Sequence, residues 1–249
     1  MRKIIVLAFA AGLLALLSSC SKPDQHLKTI PSSAQLVASF DLFNMAKKAE
    51  LYKPEQYAFY GEMMKELEAS DPEIHSFMQS LISNPLQTGL KYREDLYIFA
   101  ENLDKEPTMG ITMALRNSGD FEKTVNEVIA KSKMEITLTN TDGMNHLVKN
   151  EMALIFDDAR MLIVIRDGMQ EAELLSYAQS LMKQSADASI TNHSDFAKFK
   201  ADKKDLNLWL STDFITQNRE FLMVTSQLPF KTTGNYMHMH VEFNDKDIV

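Results

Sequence analysis

A repeated order of local patterns constrains the fold of this chain more than any single motif does. Four times, a segment with strand character leads through a polar corner into an amphipathic helical pattern. Strand character here means alternating apolar residues, and the helical pattern means apolar residues three and four positions apart. The four repeats are Leu36–Ala49, Ile111–Ile129, Leu162–Leu181 and Leu206–Met223. Together with a β-meander, they predict an α+β fold whose largely antiparallel sheet carries its helices on one face.

The meander is predicted from Met134 to Ile165. Apolar residues alternate with polar ones at its start, and Asp142-Gly143 is a typical hairpin turn between two strands. On the last strand, Ile163 and Ile165 are expected to face the core, because alternate residues of a strand share a face. The change Ile163→Asp is therefore expected to bury an unpaired charge and to destabilise the domain.

A helix start is marked near residue 70, between the first repeat and the second. Ser70 and Glu73 have the spacing of a capping box, and Asp71-Pro72 suits the first turn of a helix. Apolar residues follow at the spacing of one helical face from Ile74 onward. This pattern predicts an amphipathic helix in the 70s.

The N-terminus has the pattern of a bacterial lipoprotein signal peptide. Arg2 and Lys3 precede an apolar run, Ile4–Leu17, and small residues lead from it to Cys20, the only cysteine of the chain. The run is shorter than the ~20 residues that a bilayer-spanning helix needs. We therefore predict cleavage after residue 19 and acylation of Cys20. The protein would then be anchored by lipid in the outer membrane. Its periplasmic face is favoured, because a single acidic residue follows the cysteine in Ser21–Gln25, and the cell surface is the alternative.

The same pattern divides the chain into three parts. Residues 1–19 are predicted to be the signal peptide. Residues 20–33 are polar, contain two prolines and have no period, so that they are expected to form the lipidated cysteine and a flexible tether. Residues 34–249 would form the α+β domain, either as one unit or as two similar subunits.

The charge of the chain argues against nucleic acid as a partner. There are 26 basic and 34 acidic residues, and the net charge of −8 becomes −10 once Arg2 and Lys3 are removed with the signal peptide. No basic patch is expected that could follow a phosphate backbone. The expected partners are the membrane, through the lipid anchor, and a protein of the envelope. No cofactor is expected, since glycine is scarce and no glycine-rich loop follows a strand.

Histidine and methionine alternate near the C-terminus, in the segment Tyr236–Glu242. Imidazole and thioether both bind copper, so that His238 and His240 are candidate ligands of a periplasmic metal site. As a strand, however, the segment would place Met237 and Met239 on a core face and the two histidines on a solvent face. Nothing nearby in the sequence supplies a third ligand.

Two stretches of the chain, taken together with the lipoprotein pattern, are similar to a known protein family. They are the segment that opens the body, Ile30–Asp41, and the helix–strand pair Asn192–Leu210. With the lipobox they resemble a family of Bacteroidetes lipoproteins defined only as a domain of unknown function. The resemblance implies no catalytic residues. Because members of that family run longer, it implies that this chain is an N-terminal half or a short variant.

These observations favour a lipid-anchored, non-enzymatic envelope lipoprotein with a binding or scaffolding role. A periplasmic metal-binding protein that uses His238 and His240 is the first alternative. An envelope hydrolase without a recognisable motif is the second, although the chain contains neither Gly-x-Ser-x-Gly nor His-Glu-x-x-His. The sequence does not name a ligand.

Overall fold

A computed structural model describes residues 24–51, 53–103, 106–132, 135–217 and 234–244. Nine strands of these residues form one sheet in which each strand pairs antiparallel with its neighbours, in the order β4-β5-β6-β7-β3-β2-β1-β8-β9. The strands are β1 (Leu36–Phe40), β2 (Leu96–Leu103), β3 (Glu106–Ala114), β4 (Thr139–Thr141), β5 (Met144–Lys149), β6 (Met152–Phe156), β7 (Arg160–Ile165), β8 (Leu206–Ser211) and β9 (Tyr236–Val241).

Helices join many of these strands, which confirms the predicted α+β class. They are α1 (Leu42–Lys48), α2 (Ala58–Ser70), α3 (Pro72–Ser83), α4 (Ser118–Ser132), α5 (Glu171–Lys183), α6 (Ser194–Ala201) and α7 (Thr212–Gln217). Short 3-10 turns occupy His26–Thr29, Pro54–Gln56, Pro85–Thr88, Ala186–Ala188 and Ile190–Asn192. Within the described residues, no helix is long and apolar enough to cross a membrane.

One face of the sheet packs under α5 and α6 and forms the larger apolar cluster. Trp209, Val37 and Phe99 lie side by side on neighbouring strands and are fully buried. The next strand places Gly110 opposite Phe99, where a Cβ atom would lie 2.0 Å from the phenyl ring. The absent side chain therefore leaves room for the Phe99 ring over β3.

The other face of the sheet carries a second apolar cluster, so that the helices do not all lie on one face. Helix α4 contributes Phe121 and Val125 to this cluster, and the ring of Phe121 meets that of Phe156 edge-on at 4.9 Å. Helix α1 adds Leu42 at its margin. The expectation of a single helical layer is therefore wrong. The central strands are apolar on both faces, and both faces need cover.

Residues 26–33 belong to the folded domain and not to a flexible tether. Leu27 is 1% exposed and Ile30 is fully buried, because both side chains enter the larger cluster between the sheet and α5. The Ile190 amide donates to the Ile30 carbonyl, and a β-bridge joins Pro31 to Ser189. The tether prediction is wrong here since it weighed the prolines and polar residues above two well-spaced apolar ones.

The strand β7 turns the opposite face to the larger cluster from the one that was predicted. Leu162 and Val164 are fully buried in the larger cluster, whereas Ile163 is half-buried on the opposite face and Ile165 is exposed. The register places Val164 between Gly110 of β3 and Ala153 of β6, where a β-branched side chain fits beside two small residues. After Arg160, every residue of this strand is apolar, so that both of its faces are apolar. The sequence pattern alone therefore does not determine which face points to the larger cluster.

The helix start near residue 70 is confirmed, but Asp71 caps it and not Ser70. Asp71 Oδ1 accepts hydrogen bonds from the amides of Glu73 (3.2 Å) and Ile74 (3.1 Å). Ser70 is the last residue of α2, a helix that the sequence patterns did not predict. The predicted first strand of the meander is also wrong at residues 135–138, which are not a strand; β4 begins only at Thr139.

Candidate ligand-binding groove

An open groove lies at the end of the sheet where β1 finishes and β2 begins. The pairing of Phe40 with Leu96 fixes how the chain leaves β1 and enters β2. Helix α1 follows β1 at once, because Asp41 caps it by accepting a hydrogen bond from the Asn44 amide at 2.9 Å. Phe43 and Ala46, three residues apart on α1, then share the side that lines the groove.

The opposite wall comes from the turn before β2. Gly89 has a φ of 76° and ends the 3-10 turn, and a Cβ atom there would lie 2.3 Å from the Asn117 carbonyl oxygen. This close approach lets the Arg116 amide donate to the Gly89 carbonyl at 2.8 Å, beside a β-bridge between Leu90 and Leu115. Three stretches far apart in sequence therefore meet at one end of the sheet.

The groove is apolar and large enough for an organic ligand. Its volume is about 780 Å³, within the range of ~300–1,000 Å³ that is common for ligand sites. Phe43 is 44% exposed and Leu86 58% exposed, so that the groove presents apolar surface to solvent. A second groove of about 790 Å³ adjoins it along α1. Both grooves are lined by Phe43, Ala46, Leu51 and Pro85.

Three cations and no carboxylate line the first groove: Lys91, Arg93 and Arg116. Two of the cations have partners. Lys91 forms an ion pair with Glu94, and Arg116 contacts the Asp120 carboxylate at 2.9 Å and the Leu86 carbonyl at 2.7 Å.

Arg93 differs from the other two cations. Its guanidinium carbon lies 5.2 Å from the centre of the Phe43 ring, and it has neither a hydrogen bond nor an ion pair to any described residue. The groove thus joins an apolar floor to an uncompensated positive charge, and an anionic amphiphile matches that combination.

A buried polar cluster lies on the other face of the sheet, around the Glu101 carboxylate, and none of its residues lines this groove. Ser33 and Tyr177 both donate hydrogen bonds to the Glu101 carboxylate. Burial raises the pKa of Glu101, while the hydrogen bond from Ser33 and the nearby Arg166 charge lower it. The cluster links residue 33 and α5 to β2. Its serine has no histidine partner among the described contacts, so that it does not form a recognisable nucleophilic pair.

The sequence-based candidates lie elsewhere. Cys20 is outside the described residues. His238 and His240 share one face of β9, as predicted, with the His238 ring 5.9 Å from that of Phe199 and His240 Nδ1 3.5 Å from Asp202 Oδ2. In the part of the chain that the structure describes, no group of three or more histidine, cysteine or acidic side chains could hold a metal ion.

The predicted core face of β9 is wrong, and residues 237–241 are exposed on both faces of the strand. Tyr236 stacks on Trp209 with ring centres 4.4 Å apart, whereas Met237 and Met239 are exposed. The pairing of His238 with Trp209 sets this orientation, since directly opposed residues of antiparallel strands point to the same face. The histidine side of β9 is therefore the side that faces the larger cluster.

The family model described as domain of unknown function (DUF4836) matches residues 27–248. The chain belongs to the DUF4836 family. This confirms the resemblance to a family defined by unknown function, and the match begins within the 3-10 turn that the structure assigns to the folded domain.

Among solved structures, the chain shows distant likeness to three crystal forms of TP0453. Form III matches with a TM-score of 0.40 and 11% identity over 81% of this chain and 68% of that one. Form IV gives 0.41 and 10% over 78% and 67%, and form I gives 0.39 and 11% over 77% and 65%. No curated protein matches the chain.

Sequence patterns did not find the groove of this DUF4836 chain. Its lining residues come from positions 42–51, 85–93 and 116. Predicted repeats contain α1 and Arg116, whereas no element was predicted over residues 85–93. One local feature was visible: Lys91-Tyr92-Arg93 places two cations around an aromatic residue just before an apolar segment. Nothing in the linear sequence links that triplet to Phe43.

Proposed function

We propose that this protein is a lipid-anchored, non-enzymatic binding protein of the cell envelope and that it binds an apolar ligand in the groove beside α1. The anchor is the acylated Cys20, and the location is the outer membrane, on its periplasmic face. The observation that carries the proposal is an open groove of about 780 Å³ in which Phe43 and Leu86 are substantially exposed. Apolar surface of this kind is typical of interaction sites.

The groove has a direct test with a neutral photoreactive lipid. The full-length protein is reconstituted into phosphatidylcholine nanodiscs and irradiated with a diazirine derivative of hexadecanol. Labelled peptides are then identified by mass spectrometry. We expect labelling in residues 42–51 and 85–93, because these stretches line the groove.

Ala46 offers a variant that fills the groove. Ala46→Trp places a large side chain in the wall shared by both grooves, and we expect it to remove most of the labelling. Ala172→Trp is the matched control, since Ala172 is exposed on α5 and lines neither groove. Equal labelling of both variants, or none in the wild type, would refute the proposed site.

The anchor has a separate test in cells. An alkyne fatty acid supplied during growth should label the wild-type protein, and Cys20→Ala should abolish the label. Inhibition of lipoprotein signal peptidase should leave a precursor that is larger by residues 1–19. A wild-type protein that incorporates no fatty acid would contradict the anchor and the location together.

A further inference from the structure

We infer that the ligand of the groove is a long-chain fatty acid, with its carboxylate on Arg93 and its hydrocarbon tail over Phe43. This inference rests on the proposed function, since it names the class of ligand for the same site. Three features support a fatty acid: the charge of the rim, the contact between Arg93 and Phe43, and the position of the groove relative to the N-terminus.

The charge of the rim is unusual for this protein. A chain with a net charge of −8 lines the groove with three cations and no carboxylate. Two of those cations form ion pairs: Lys91 with Glu94, and Arg116 with Asp120. Arg93 has no such partner among the described residues, and the planar fork of arginine matches a carboxylate with two parallel hydrogen bonds. The rim therefore has one place for one added anion.

The head site and the tail site share a residue. The Arg93 guanidinium lies over the Phe43 ring at 5.2 Å, a distance at which a cation–π contact holds the two together. The same ring is part of the apolar lining. A carboxylate on Arg93 would thus have its tail at the start of the apolar floor. A molecule with one anionic end and one apolar chain uses both features at once.

The groove also lies at the end of the sheet to which the N-terminus returns. His26 follows Asp24 by two residues, and its Nδ1 lies 3.6 Å from Glu94 Oε2. Glu94 in turn forms an ion pair with the groove residue Lys91. Cys20 precedes Asp24 by four positions, which is at most ~14 Å of extended chain. An acylated Cys20 would therefore hold this end of the sheet beside the bilayer, where long-chain fatty acids partition.

The experiment compares an acid with an alcohol of the same length. Full-length protein in phosphatidylcholine nanodiscs is irradiated with diazirine derivatives of hexadecanoic acid and of hexadecanol at a range of concentrations. We expect the wild type to be half-labelled in residues 42–51 and 85–93 at about tenfold lower concentration of the acid, the effect of one charged hydrogen-bonded pair. Arg93→Gln should remove this preference and leave the labelling by the alcohol unchanged.

Two further variants make the result specific. Arg93→Lys keeps the charge without the planar fork, and should keep part of the preference. Lys149→Gln removes a cation from the far end of β5 and should keep all of it. Equal half-labelling of the wild type by acid and alcohol would overturn the fatty acid but leave the apolar site intact. Absence of groove labelling by both probes would overturn the proposed function itself.

Discussion

The buried ring of His26 should make the protein lose stability as the pH falls below neutrality. The residue is 2% exposed, and neither ring nitrogen has a hydrogen-bond partner in the part of the chain that the structure describes. Burial lowers the pKa of His26 to about 4, and attraction to Glu94 and Asp24 opposes this only in part. Glu94 Oε2 lies 3.6 Å from His26 Nδ1. The folded protein therefore keeps the imidazole neutral.

The sign and the size of the effect follow from the two pKa values. The unfolded chain takes up a proton near pH 6.5, whereas the folded chain does so only near pH 4. Below pH 6.5 the unfolded state thus binds more protons, so that the free energy of unfolding falls until the pH approaches 4. Linkage for one such site gives a loss of about 2 kcal/mol between pH 7.5 and pH 5.0.

Urea denaturation followed by circular dichroism measures this loss. The comparison uses a chain that starts at Ser21 and its His26→Phe variant, which keeps a ring against Tyr97 but has no titratable nitrogen. Carboxylate titration affects both chains alike and cancels in the difference. We expect the wild type to lose about 2 kcal/mol more than the variant between the two pH values. His75→Gln, a change on α3, should behave as the wild type does.

The reasoning would be refuted by parallel pH profiles of the wild type and His26→Phe. Parallel profiles would mean that His26 is already charged in the folded protein or is reached by water there. A larger difference at high salt would show that attraction to Glu94 and Asp24 opposes burial, because salt screens charge pairs more than it changes desolvation, and the pKa of His26 would then fall further.

Two pairs of substitutions test the packing of the sheet. Val164→Asp buries an unpaired charge and should lower the free energy of unfolding by several kcal/mol, whereas Ile165→Asp, one residue on and 36% exposed, should change it little. If both variants lowered the urea midpoint equally, the assignment of Val164 to the core face of β7 would be wrong. Gly110→Ala should cost about 1–3 kcal/mol, because its Cβ would lie 2.0 Å from the Phe99 ring. Gly61→Ala, in open space on α2, should instead raise the thermal midpoint; a loss there would show that α2 is not a regular helix.

The elements that the sequence predicts well are those with clear local signals. β1 has the predicted bounds, Leu36–Phe40, because the polar residues Gln35 and Asp41 bound a short and mostly apolar run. Helix α5 is predicted because its apolar residues recur at the helical period. By contrast, β2 was not predicted at all. Its residues face apolar clusters on both sides, so that it has no alternation to detect.

Facing and long-range contacts are the parts that local patterns do not determine. The strand β7 is apolar on both sides, and only its neighbours Gly110 and Ala153 decide that Val164 points to the larger cluster. Helix α2 leaves Phe59 exposed and buries only Met64, so that its apolar period is weak. In each case the deciding contact comes from a residue far away in sequence.

The candidate site depends on the register of β1 and β2 more than on any residue in the groove. Phe40 pairs with Leu96. Phe43 lies three residues after Phe40, and Arg93 lies three residues before Leu96. A continued antiparallel pairing would set these two residues opposite each other, and the Arg93–Phe43 contact is found at that point. The register in turn depends on Val37 and Phe99, which are opposed and fully buried. If either strand slipped by one residue against the other, its own buried side chain would turn out of the core. The core packing of the sheet therefore positions the cation over the ring, several residues before the groove begins.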